Sequence, residues 1–87
     1  MASIIKSNGT IEIVEPKNGT DFSLSELKQA IGGGYVEVVS LDRDTYLVVD
    51  EEGLLKNLPY NYTATKLYNF ISPIVGDALV CKKDQIK

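Results

Sequence analysis

The sequence predicts an α+β domain: one mostly antiparallel sheet with two short helices, in the order β-β-α-β-β-(β)-α-β. Three observations predict it. An Asn-Gly turn joins two runs near the start of the chain. A capping box opens an apolar helical stripe that a glycine triplet closes. Two runs rich in β-branched and aromatic residues then flank a short polar turn. The whole chain, 1–87, reads as a single domain, and residues 82–87, a charged tail, are expected to fray.

Taken in order, Ser3–Ser7 and Thr10–Val14 flank Asn8-Gly9. That dipeptide tolerates the positive φ angles of a type I′ turn and predicts a hairpin. Pro16 cannot donate to a ladder and ends the strand. Ser23-Leu24-Ser25-Glu26 fits a capping box, with Phe22 and Leu27 at the staple positions. Leu24, Leu27 and Ile31 recur at spacings of three and four, so a helix is expected over Leu24–Ile31. Gly32-Gly33-Gly34 supplies its left-handed stop and leads into a strand. A phosphate-binding loop has the opposite order, strand before glycines, and a following Lys-Ser/Thr that is absent here.

Tyr35–Leu41 and Thr45–Val49 should pair across Asp42-Arg43-Asp44. Val38-Val39 and Leu47-Val48-Val49 break the polar alternation, which predicts central strands with cover on both faces. Asp50-Glu51-Glu52-Gly53 reads as a turn, Leu54-Leu55 as a short return strand, and Asn57-Leu58-Pro59 as a breaker. Asn61 or Thr63 caps a second helix over Thr63–Phe70, whose stripe is Ala64, Leu67, Tyr68 and Ile71. Ser72-Pro73 ends it, and Ile74–Cys81 forms the last strand. Both helices are expected on one face of the sheet.

Composition closes off several chemistries. There is no His, and Cys81 stands alone, so neither an intrachain disulfide nor a Cys/His zinc site can form. The His-dependent nucleophile arrangements are excluded for the same reason. Nine basic residues against twelve acidic ones give a net charge of −3. That balance disfavours a nucleic-acid partner, since phosphate-backbone binders carry a basic excess. No apolar run approaches membrane-spanning length, and no signal-peptide pattern opens the chain. A cytoplasmic location and no membrane association are therefore expected. The sequons at Asn8, Asn18 and Asn61 read as turn chemistry.

The candidate binding residues lie in one stretch and its neighbour: Asp50, Glu51, Glu52, Asn57, Tyr60, Asn61, Tyr62 and Asp77. Clustered carboxylates suit a hard cation, but the spacing is not that of an EF-hand, and no metal or cofactor is assigned. A solvated hairpin end is the simpler reading of the acids. Tyr60 and Tyr62 flank Asn61 in a loop and could offer rigid, amphipathic contact area. Tyr35, Tyr46 and Tyr68 are expected to pack on the sheet, and Cys81 to act as a small core filler.

Three segments carry a resemblance: Gly33-Gly34-Tyr35-Val36-Glu37, the stretch Val48-Val49-Asp50-Glu51-Glu52-Gly53-Leu54-Leu55-Lys56-Asn57-Leu58-Pro59-Tyr60-Asn61, and Ile74-Val75-Gly76-Asp77-Ala78-Leu79-Val80. Together they resemble the bacterial and phage family catalogued as domain of unknown function 3846, in its gut-Bacteroides type. The likeness runs from about Gly9 to Cys81. The family often has Asn where this chain has Asp50, and Gly where it has Asn57. The resemblance implies a mobile-element or prophage setting and no mechanism.

The function expected from these readings is that of a non-enzymatic accessory or interaction protein with no catalytic residues. Its partner would be another protein or a second copy of itself. A small-ligand binding or sequestering protein is the alternative, and a carboxylate- or metal-dependent enzyme the second alternative.

Overall fold

The computed structural model describes residues 2–86. Its five strands are β1 (Ala2–Ile5), β2 (Ile11–Val14), β3 (Val36–Ser40), β4 (Thr45–Asp50) and β5 (Ala78–Lys82). They form one sheet, all of whose pairings are antiparallel, in the order β2-β1-β5-β4-β3. Helix α1 (Leu24–Ala30) connects β2 to β3, and α2 (Tyr62–Leu67) lies between β4 and β5. The expected element order holds, without the bracketed strand: Leu54-Leu55 lies in a run of turns and faces solvent. The last strand is shorter than the apolar run suggested. Val75 makes only an isolated bridge to Tyr60 before the ladder begins at Ala78.

The helices sit on opposite faces of the sheet, not on one. Leu27 and Ile31 of the α1 segment pack with Val48, Leu79 and Cys81. Ala64 of α2 packs with Leu47, Val49 and Ala78. Neighbouring residues of a strand point to opposite sides, so β4 and β5 are covered on both. This explains the unbroken Leu47-Val48-Val49 run. β3, expected to be central too, is an edge strand, and Val38 and Ser40 are exposed.

α1 forms as its sequence dictates. The Ser23 hydroxyl accepts from the Glu26 amide, and the Glu26 carboxylate accepts from the Ser23 amide at 2.9 Å. Phe22 and Leu27, the staple pair, are both buried. Leu24, expected on the apolar stripe, is exposed. α2 begins at Tyr62 with Asn61 as its cap, and ends at Leu67, short of Phe70. Asn69 and Phe70 both adopt left-handed backbone, with φ of 56° and 55°. The helix therefore unwinds before Ser72-Pro73 is reached, and Leu67 and Ile71 of the expected stripe are exposed.

Two local expectations also change. In the first turn only Gly9 has positive φ, at 93°. The Gly9 amide donates to Lys6 O and the Lys6 amide to Thr10 O. This is a three-residue loop closed by a left-handed glycine, not a type I′ turn. Residues 82–87 do not fray over their described part. Lys82 ends β5, Lys83–Gln85 forms a 3₁₀ turn, and Gln85 is buried with its carbonyl accepting from Phe22 N at 2.7 Å.

Candidate functional site

Three separate stretches meet at one end of the sheet. The segment after β4 folds into consecutive turns: the Gly53 amide donates to Asp50 O and the Leu58 amide to Gly53 O. Glycines let it pack against its neighbours. A Cβ at Gly34, where φ is +96°, would lie 2.7 Å from Asp50 Oδ2 and overlap the Lys56 ammonium. A Cβ at Gly53 would lie 2.7 Å from Val75 Cγ2, and one at Gly76 would lie 2.7 Å from Leu58 Cδ1. The backbone closes the same joint. Glu51 N donates to Tyr35 O at 2.8 Å, and Gly76 N to Pro59 O at 2.7 Å.

Asp50 is the charged centre of this joint. Its side chain is only 2% exposed and takes the Lys56 ammonium at 2.8 Å. Its second oxygen accepts from Glu52 N at 2.8 Å. The hydrogen bond to Asp50 holds the Lys56 ammonium above the ordinary lysine range. An Asn at position 50 would still accept from Glu52 N, so the bend does not depend on the charge. Asn57 sits at φ 55°, a left-handed position open to Gly and Asn. A glycine at this position would carry no left-handed backbone penalty.

Asn61 is a staple. It is 1% exposed, and its amide donates to Ile5 O at 2.8 Å and Gly76 O at 2.9 Å. Its Oδ1 accepts from Ala64 N at 3.0 Å and so caps α2. One side chain thus ties β1, the turn before β5 and a helix start together. Thr65 completes the node: its hydroxyl donates to Asn61 O at 2.8 Å and accepts from Ile74 N at 2.9 Å. Asp77 anchors the first hairpin, accepting from Ser7 N at 3.0 Å.

The candidate acids are spread over two recesses that share Asp50. Asp50 and Asp77 line one cleft of about 300 Å³, together with Lys56, Ser7 and Pro59. Glu51 lines a second recess together with Asp50, Glu37 and Tyr68. Among the described residues, no three Asp, Glu or Cys side chains come together as a metal site. Tyr60 and Tyr62 stand in solvent, and Tyr62 contacts Phe70 at 5.9 Å between ring centroids with the planes 58° apart. Tyr35, expected to pack on the sheet, precedes β3 and is exposed. Tyr46 and Tyr68 do pack against the two core clusters, and Cys81 is a buried free thiol.

Sequence reasoning missed Lys56, Gly34, Thr65 and Phe70. Only Gly34 carried a signal, as part of the triplet. Lys56 and Thr65 gain their roles from chain reversals that no periodicity announces.

The fold and its joint define a small α+β domain with an antiparallel five-stranded sheet, in which Asp50, Asn61 and Asp77 are engaged in closing the sheet's end. The chain belongs to the family described as Domain of unknown function (DUF3846), whose model matches residues 1–87. No curated protein and no solved structure matches it. Among the described residues, no helix is long and apolar enough to cross a membrane.

Proposed function

We propose that this protein is a non-enzymatic accessory protein, carried on a mobile element or prophage, that acts by binding another protein. The observation that carries this reading is the surface around α2. Tyr60, Tyr62, Leu67, Phe70 and Ile71 are all exposed, with Tyr62 at 58% and Ile71 at 69%. Phe70 is held there by a left-handed backbone, which costs a non-glycine residue on the order of 1–2 kcal/mol. Strain that presents an aromatic ring to solvent, beside a second ring, favours a contact role. The polar residues of the joint favour the same reading. Lys56 is paired with Asp50, and Asn61 has its amide and carbonyl engaged within the chain.

The test is affinity recovery from the host with the wild type and with the Tyr60→Ala/Tyr62→Ala double variant. Circular dichroism serves as the fold control. Recovery of a stoichiometric partner that the double variant loses supports the proposal. Equal recovery by both proteins, or none by the wild type, overturns it. Conjugation or anti-defence genes beside the coding sequence would support the mobile-element part, and a metabolic operon would oppose it.

A further inference from the structure

We propose that two copies of this chain pair through β2, antiparallel across a twofold axis that passes between the two Glu12 residues, to make a continuous ten-stranded sheet. β2 lies on a different surface from the aromatic turn, so this pairing is independent of the partner reading.

β2 is the outermost strand on its side of the sheet. The Lys6 amide donates to Thr10 O at 2.8 Å, and the register pairs Ile4 with Glu12 and Ala2 with Val14. Antiparallel ladders alternate bonded and non-bonded pairs, so Thr10, Glu12 and Val14 spend their backbone groups on β1. Ile11 and Ile13 then direct theirs outward, where no described residue pairs with them. Their side chains are 55% and 61% exposed. They share the sheet face on which α2 lies, but the cluster under α2 is built from β1, β4 and β5 residues and stops short of β2. An edge with free backbone groups and two bare isoleucines is a template for strand addition.

The occupant follows from the pattern of the strand itself. With Glu12 on the axis, Ile11 of each copy lies opposite Ile13 of the other. Both are bonded pairs, and four isoleucine side chains close over one face. The cost is that the two Glu12 carboxylates face each other on the other side. Like charges opposite one another cost about 1 kcal/mol or less, whereas covering part of the exposed half of each of four isoleucines contributes about 0.5–1 kcal/mol apiece. Glu12 lines a cleft with Lys6 and Lys17 but also with Glu15, Glu26 and Asp77, so the carboxylate pair remains a cost that the isoleucines must outweigh. Moving the register by two residues would keep an Ile13–Ile13 pair but set Ile11 of each copy opposite Glu15, so two of the four isoleucines would lose their apolar partner. The strand is only four residues long, so the contact is small and the dimer weak, of the micromolar class or looser.

Sedimentation velocity from micromolar to millimolar protein should show a monomer–dimer equilibrium. Ile13→Lys should remove it, and Glu12→Gln should shift it several-fold toward dimer by relieving the carboxylate pair. Glu12→Cys should cross-link under mild oxidation, since a non-bonded antiparallel pair brings Cα atoms to about 4.5 Å, within disulfide range. Cys81 does not compete, because burial pushes its thiol up to about 11. A wild type that stays monomeric at millimolar concentration overturns the proposal. So does a Glu12→Cys variant that cross-links no faster than Lys28→Cys on the surface of α1.

Discussion

Replacing Asn61 by Asp changes one side-chain group and tests the staple directly. The Oδ1 acceptor that caps α2 is kept, but the amide that donates to Ile5 O and Gly76 O becomes an oxygen. At neutral pH a buried carboxylate would then face two carbonyl oxygens. The two lost bonds alone are worth about 1 kcal/mol each, and the buried unpaired charge adds to that. A loss of at least about 3 kcal/mol is expected, against a total of roughly 4–13 kcal/mol for a chain of this length. The sign with pH is fixed as well. Burial and the facing carbonyls raise the folded-state pKa of the new Asp above its unfolded value, so the folded state binds the extra proton. The deficit should be smallest below pH of about 4 and grow as pH rises through the unfolded pKa. Urea denaturation followed by circular dichroism at several pH values measures this. A variant within about 1 kcal/mol of wild type at pH 7, or one whose deficit is flat with pH, refutes the reasoning.

Four further outcomes follow from the same joint and from α1. Gly34→Ala should cost more than about 2 kcal/mol, because the left-handed backbone penalty is joined by displacement of the Asp50–Lys56 pair. Gly19→Ala, also at positive φ but in open space, should cost only the backbone part, and equal losses at the two sites in chemical denaturation would contradict the packing account. Asn57→Gly should leave the melting temperature unchanged or raise it, while Asn57→Ala should lower stability by about 1 kcal/mol. Ser23→Ala should cost about 1 kcal/mol through loss of the α1 cap. In the wild type, the Ser23 and Lys17 amides hold the Glu26 carboxyl below the ordinary glutamate range. That contribution is present above the unfolded pKa and fades as pH falls through the folded one. Glu26→Gln should therefore flatten the acid side of the stability curve, and an unchanged acid side would count against it.

The family resemblance read from three short stretches agrees with the family match over 1–87, and those stretches prove to be the pieces of a single joint. Their residue types had suggested a binding loop. In the structure Asn61, Gly76 and Asp77 are engaged in holding β1, the turn before β5 and α2 in place. A sequence records that a polar residue is present at a position. Whether it is spent on the chain or left for a ligand depends on carbonyls as far as 56 residues away.

What the sequence by itself determined was local. The Ser23–Glu26 box, the glycine stop and the β-branched runs place α1, β3 and β4, because capping, φ preference and side-chain crowding act over a few neighbours. Tertiary structure decided the rest. β5, last in the sequence, enters between β1 and β4 and buries both faces of the sheet's centre, which sends the helices to opposite sides. The same insertion leaves β2 at an edge, with Ile11 and Ile13 in solvent. Which apolar residues are covered is a property of strand order, and strand order is set by pairings between residues far apart in the chain.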